Sequence, residues 1–409
     1  MSAYILIVNE SPVPLWGLTS RERVRRLLDG KDGNRLVDRL EAVPADGSVL
    51  LVRGDYLMDA RTLRALTQAR DTVLQAPGPD GQVTVAAHVP VPLARALLAA
   101  LTAGAGDGKP LPPEVATATL EDLAPPFQEQ LRKVDPPFVL PISGATRPEL
   151  ERLLFGAAYK GVTDLVTRFL WPVPARWGVR LFARLGVTPN QITALNWLLA
   201  VAVLLLFGYG EFGWGLVLAW VMTYLDTVDG KLARVTVTSS RLGHYLDHVL
   251  DLISPPFWYL AWGLGLAAFQ PAVLRVELST LITLIFAGYI LGRLVEGAFK
   301  TLLGRFGIFC WRRVDSYSRL VTARRNPALI LLTGGALAGR PDLGLEAVAL
   351  WTLVSTLFLL VRLGMAAYAR ATAGPLTSWL AEVGRDPSDH SLAVRWFAGG
   401  SGRSPTGGG

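Results

Sequence analysis

Four aspartates between Asp226 and Asp251 are the residues of this chain best suited to chemistry. Asp226 and Asp229 are spaced i,i+3, and Asp247 and Asp251 are spaced i,i+4. On a helix each spacing places both carboxylates on one face. The run sits between long apolar stretches, where ionisable groups are expensive and are retained for function. Four like charges brought together need a cation, and a set of oxygen ligands suits Mg2+ or Mn2+. Gly230, Ala233 and Gly243 lack bulk, so a ligand could approach the helix backbone closely. Arg234 adds forked donors suited to a phosphate. Together these groups suit phosphoryl-type transfer. The cation would neutralise charge on the pyrophosphate and leaving group. A carboxylate free of metal could take a proton from an attacking hydroxyl.

These residues must be held by the elements around them. The chain has 409 residues, enough for two domains, and 51% of them are hydrophobic. Residues 1–155 read as soluble. Apolar runs at Tyr4–Val8, Ser48–Val52 and Val83–Val89 alternate with helical patterns at Ser20–Leu28 and Ala60–Ala69. That alternation predicts a largely parallel sheet under helical cover. Residues 156–188 form an amphipathic linker in which Arg168, Trp171, Arg176, Trp177, Arg180 and Arg184 interleave with aliphatic residues. Such a segment suits a helix lying in a membrane interface, with an ordinary surface helix as the other reading. Residues 189–372 contain six apolar segments, near 190–209, 213–235, 242–268, 277–301, 326–343 and 346–370. The fifth is the weakest, thinned by Gly334, Gly335 and Arg340. The expected fold class is therefore an α/β N-terminal soluble domain plus an all-α six-helix transmembrane domain. Residues 373–409, polar and rich in Gly, Ser and Pro, read as a disordered tail.

Charge sets the orientation. Arg184, Lys231, Arg234, Arg241, Lys300, Arg305, Arg312, Arg313, Arg319, Arg324, Arg325 and Arg370 fall at one set of segment ends, and little beyond Arg275 and Arg340 at the other. The first set is expected in the cytoplasm with the N-terminal domain. The opening MSAYILIVNESPV lacks the basic region and apolar length of a signal peptide. The net charge of +7 is concentrated in the loops between apolar segments, which points to anionic lipid or phosphate and not to nucleic acid. A single cysteine, Cys310, excludes internal disulfides.

The full spacing Asp226-x2-Asp229-Gly230-x2-Ala233-Arg234-x8-Gly243-x3-Asp247-x3-Asp251 resembles the signature of the CDP-alcohol phosphotransferases, with all eight positions filled. The segment Thr188-Pro189-Asn190-Gln191-Ile192-Thr193 is similar to that family's opening of its first membrane helix. The resemblance covers roughly 160–372. It implies that a CDP-linked alcohol, often CDP-diacylglycerol, gives its phosphoryl-alcohol group to the hydroxyl of a second alcohol and releases CMP. It further implies that Asp226, Asp229 and Asp247 hold the metal and that Asp251 is the general base. Gly230, Ala233, Arg234 and Gly243 would line the CDP site. The implied partners are a CDP-alcohol donor, a small polyol or polyol-phosphate acceptor, membrane lipid and a second copy of the chain as homodimer. The implied location is the cell's inner (cytoplasmic) membrane.

Other residues admit two readings. Arg324 and Arg325 could bind an acceptor phosphate or serve as positive-inside anchors. Arg293 and Glu296 could border the cavity or form a structural pair. His244 and His248 flank the aspartates and read as packing groups. Lys160 and Asp164 resemble a lysine–aspartate pair found at this place in some fused family members. Such members can carry a nucleotidyltransferase. Here Gly54-Asp55 after the second strand resembles the metal-binding Gly-Asp of those enzymes, but Gly17 stands without a glycine-rich triphosphate loop. The N-terminal domain is expected to be a degenerate nucleotidyltransferase-like unit. The alternatives are a bifunctional cytidylyltransferase–transferase and, in another class, a cation-coupled transporter, against which the lack of an internal repeat argues.

Overall fold

The computed structural model describes residues 3–78, 81–102, 112–238, 240–266, 274–383 and 388–398. Its first unit runs β1 (Tyr4–Val8), α1 (Ser20–Leu28), β2 (Arg35–Val37), β3 (Ser48–Arg53), β4 (Tyr56–Met58), α2 (Ala60–Leu66), β5 (Thr72–Gly78), β6 (Gly81–Pro90), α3 (Val91–Thr102) and β7 (Ala116–Ala118). Six strands make one sheet in the order β2-β1-β3-β6-β5-β7. β1 is parallel to β2 and β3, and β5 is parallel to β7. β6 runs antiparallel to both β3 and β5. The sheet is thus mixed, with three parallel and two antiparallel ladders among the described residues, because the two-residue gap between β5 and β6 has room for a hairpin and none for a crossover helix. Helices cover both faces, which explains the unbroken apolar run of β3. Leu50 and Val52 pack with Val24, Leu27 and Leu63 on one face, and Val49 and Leu51 with Ala94 and Leu97 on the other.

A connecting region follows: α4 (Leu120–Leu123), β8 (Phe127–Gln128), β9 (Lys133–Val134), β10 (Val139–Pro141) and α5 (Arg147–Ala157). β10 pairs antiparallel with β4 and ties this region back to the first unit. α6 (Pro172–Arg184) is amphipathic. Its Ala175 and Val179 are buried, whereas Val173, Trp177 and Leu181, with Leu185 just beyond the helix, form an exposed strip at four-residue spacing.

The remaining helices are α7 (Pro189–Gly208), α8 (Phe212–Val235), α9 (Arg241–Gly265), α10 (Leu278–Ala298), α11 (Arg313–Val321), α12 (Arg325–Leu337), α13 (Pro341–Ala373) and α14 (Trp379–Val383). Among the described residues three segments are long and apolar enough to cross a membrane: Pro189–Gly208, Leu278–Gly304 and Pro341–Ala373. The expected six-helix transmembrane domain is corrected accordingly. Charge and length account for the difference. α8 carries Asp226, Asp229, Lys231 and Arg234, and α9 carries Asp247 and Asp251 with Pro255 and Pro256 inside it. α12 has 13 residues, about 20 Å of helix against a hydrocarbon core of roughly 30 Å. The tail expectation also changes. α14 and a helical turn at Val394–Ala398 fold back, burying Trp379, Leu380 and Phe397 among Phe299, Trp311 and Leu320. Residues 399–409 of that tail lie outside the described residues.

Aromatic packing locks α7, α8 and α9. The Trp262 ring lies 4.8 Å from Phe207 and 4.2 Å from Phe212, and all three are buried. α9 can approach α7 this closely because position 265 is glycine: a Cβ there would overlap the carbonyl oxygen of Phe207. The obstacle is backbone and cannot swing aside. Gly265→Ala is therefore expected to destabilise the bundle by about 1–3 kcal/mol, the usual range for overpacking. Thermal unfolding in detergent measures this; an unchanged midpoint would remove the close-packing argument.

One turn joins the sheet to the helices. Leu15 and Leu18 pair across a tight turn whose tip residues, Trp16 and Gly17, have φ of 52° and 78°. Glycine takes that left-handed conformation freely, whereas Trp16 must be held in it. Its indole Nε1 donates to the Glu151 carbonyl at 3.0 Å. Its ring is buried with Phe155, Val179, Leu225, Val228 and Leu232.

Candidate active site

α8 and α9 are consecutive helices joined by a short connection, with Ser240 capping α9 by accepting the Gly243 N–H at 2.9 Å. This hairpin carries the four aspartates. Carboxylate oxygens of Asp226, Asp247 and Asp251 all lie within 4.8 Å of one another. Asp229 is placed differently. It is 6% exposed and accepts a 2.6 Å hydrogen bond from the Thr193 hydroxyl of α7. The Thr188–Thr193 segment thus has a structural task. Thr188 and Gln191 form a capping box at the start of α7, and the Asn190 side chain accepts from Ser240 at 3.1 Å. Gly243 stays small because a Cβ would strike that same Asn190 side chain.

The three clustered carboxylates face a cleft of about 360 Å3. Gly230 and Arg234 line it, whereas Ala233 and Gly243 are not among its lining residues. Arg234 is fixed by donating from Nε to the Ala158 carbonyl at 2.8 Å. Arg325, at the start of α12, bridges two of the acids: Nη2 donates to Asp226 and Nη1 to Asp251, each at 2.7 Å. Arg324 is ion-paired with Glu296, and Arg293 Nη1 stands 3.8 Å from the same carboxylate. Neither Arg324 nor Arg325 is therefore a free cation. Asp164 accepts from Thr167 and from the Asn326 side chain at 2.9 Å, and Lys160 does not pair with it. His248 lines the cleft, and the His244 side chain lies outside the described residues.

The wall facing the aspartates is basic, and sequence reasoning missed most of it. Arg319 of α11 is 9% exposed, stacks over Phe309 at 5.7 Å, and leaves Nε and Nη1 without a hydrogen-bond partner among the described residues. A buried cation with unspent donors is a place for an anion. Arg132 reaches the same cleft from the turn before β9, where its φ is 51°. Lys160 keeps solvent access but is walled in. Burial, then the neighbouring Arg234 and Arg132, push its ammonium down to about 8. Arg132 and Arg319 sit in no motif; only their placement in three dimensions marks them.

Three hard-oxygen donors at this spacing fit a divalent cation. Residues 186–323 match the family model described as CDP-alcohol phosphatidyltransferase. The chain contains a CDP-alcohol phosphatidyltransferase domain. All four aspartates of the α8–α9 hairpin, Gly230, Arg234 and Arg319 fall within that match, whereas Arg325 follows it and Arg132 and Lys160 precede it. A phosphatidylinositol phosphate synthase of Streptomyces avermitilis is 32% identical over 24% of this chain and 41% of its own length. An archaetidylinositol phosphate synthase of Pyrococcus horikoshii is 37% identical over 18% of this chain and 40% of its own. The chain thus spans about two fifths of the length of these relatives. A phosphatidylinositol phosphate synthase of Mycolicibacterium smegmatis is 28% identical over 46% of this chain and 81% of its own. Among solved structures, Mycobacterium tuberculosis phosphatidylinositol phosphate synthase with CDP-DAG bound aligns at 21% identity and a TM-score of 0.32, covering 47% of this chain and 92% of that one.

Proposed function

We propose that the transferase domain moves a phosphoryl-alcohol group from a CDP-linked alcohol, with CDP-diacylglycerol as the lipid form, to a hydroxyl of a phosphorylated polyol, releasing CMP at the cytoplasmic face of a membrane. The observation that carries this reading is the two-walled cleft: clustered carboxylates on α8 and α9 against Arg132, Lys160 and Arg319. The acidic wall suits a metal-bound pyrophosphate, and the basic wall suits a second phosphate on the acceptor. The relatives' names, which specify inositol phosphate lipids, favour inositol phosphate as that acceptor.

In this mechanism Asp226 and Asp247 of the cluster, joined by Asp229 one turn along α8 where Thr193 holds it, would hold the divalent ion, whose chemistry there would be charge neutralisation at the pyrophosphate. Gly230 and Arg234 would border the cytidine diphosphate, and Arg319 with Lys160 would orient the acceptor phosphate. Asp251 would accept the proton of the attacking hydroxyl as the new oxygen–phosphorus bond forms and the bond to the CMP oxygen breaks. Arg325 keeps Asp226 and Asp251 in place by bonding both. Three apolar segments of spanning length fit a lipid donor delivered from the bilayer.

The first unit is proposed to be non-catalytic. In the β1–α1 connection, where a triphosphate loop would wrap its nucleotide, the chain instead buries Trp16 among the helices. The Asp55 carboxylate is taken bidentately by Arg53, at 2.9 and 2.6 Å.

The test is CMP release by purified protein given CDP-diacylglycerol and a panel of polyols with and without phosphate. Release is expected with inositol phosphate, to be lost in a chelator and to return with Mg2+ or Mn2+. Turnover indifferent to chelation, or no preference for phosphorylated acceptors, would overturn the corresponding half of the proposal.

A further inference from the structure

A second cavity, of about 780 Å3, lies on the far side of Lys160, which lines both this cavity and the aspartate cleft. Its walls come from α5, the turn before α6, α6 itself and the folded-back C-terminal turn at Val394–Ala398. Four arginines line it: Arg152, Arg168, Arg176 and Arg395. None of them has an ion-pair partner among the described residues, and no described aspartate or glutamate lines the cavity. Lys133 also lines it but is taken by Asp135 at 2.7 Å. One side is apolar. Phe169 meets Trp396 edge-on at 5.2 Å, and Val173 continues directly into the exposed strip of Trp177, Leu181 and Leu185.

Cations without counter-ions repel one another unless an anion joins them. A soluble anion would gain nothing from Phe169, Val173 and the strip beyond. An anion carried on an apolar body uses both sides, and the strip has the character of a helix lying at the bilayer surface. We propose that this cavity seats an anionic phospholipid, its phosphate among Arg168, Arg176 and Arg395 and its acyl chains along Phe169 and Val173 toward the exposed face of α6. The site stands apart from the transfer chemistry and does not require it. The C-terminal turn is part of the site, since it supplies Arg395 and Trp396.

Native mass spectrometry of the full chain in detergent, titrated separately with phosphatidylglycerol and phosphatidylcholine, tests this. Phosphatidylglycerol is expected to bind the tighter of the two. Its affinity should fall by roughly fivefold for each charge removed, in Arg395→Gln and again in Arg168→Gln/Arg176→Gln, with phosphatidylcholine unaffected. Arg168→Lys/Arg176→Lys, which keeps the charge, should retain most of the binding. If the double glutamine variant fails to fold, the exposed Arg395 and the lysine pair carry the comparison. Equal binding of the two lipids, unchanged phosphatidylglycerol affinity in Arg395→Gln, or displacement of the lipid by equimolar inorganic phosphate would each overturn the proposal.

Discussion

Asp251→Asn is expected to lower CMP-releasing turnover by roughly a hundred- to ten-thousandfold, the range for loss of a positioned general base, while the protein stays folded. The substitution is nearly isosteric, and the α8–α9 hairpin that presents it rests on contacts elsewhere. Thr193 holds Asp229, Asn190 meets Ser240, and Trp262 packs on Phe207 and Phe212. Arg325 would still be tied to Asp226. Asp251 is also one of the three clustered acids, so the readout must separate base from ligand. Turnover should be measured across metal concentration. A base lowers the plateau and leaves the half-saturating metal concentration where it was; a ligand raises that concentration and lets excess metal restore the rate. Restoration by metal would move Asp251 to the ligand set. Full turnover at ordinary metal concentration would remove it from the mechanism.

The second large effect concerns stability. Asp315 of α11 and Arg362 of α13 bond bidentately at 2.6 and 2.9 Å, with side-chain exposures of 2% and 7%. The guanidinium also lies over the Trp311 ring at 4.4 Å. Two charges withdrawn this far from water are stable only together. Arg362→Met leaves a buried carboxylate with one remaining donor among the described residues, the Arg312 N–H at 2.9 Å, and is expected to cost about 3–5 kcal/mol. Removing both charges in Asp315→Leu/Arg362→Met should recover most of that loss, since apolar replacements of a buried pair are often near neutral. Denaturant unfolding in mixed micelles of both variants checks this. A double variant as unstable as the single one would show that the pair does more than neutralise itself. The single variant should also weaken binding of the proposed acceptor phosphate, because Arg319 lies one turn along α11 from Asp315.

The sequence was most informative where chemistry follows from neighbours along one helix or one hairpin. The spacing of Asp226, Asp247 and Asp251 places their oxygens together because only a short connection separates α8 from α9. It was least informative where charges meet across long stretches of chain. From sequence Arg325 suits a phosphate ligand or an anchor, but it pairs with Asp226 and Asp251, 99 and 74 residues away. Its partners depend on how α12 docks, which no local pattern encodes. The six-span count failed for a related reason. Acids and bases break the apolar runs of α8 and α9, and α12 ends after 13 residues. The folded C-terminal segment is hidden because its apolar residues fall in two short runs, Trp379–Ala381 and Leu392–Ala398, too short and too far apart to show a period that marks a buried face.

The turn at Trp16 has a consequence for how the two halves depend on each other. The indole enters from the sheet side and lands against Val228 and Leu232, residues that flank Asp229 on α8. The first unit therefore acts as a keystone for the aspartate helix and not as a passenger beside it. Parting the halves would uncover Val228 and Leu232 on either side of Asp229, so the aspartate helix takes part of its packing from the first unit.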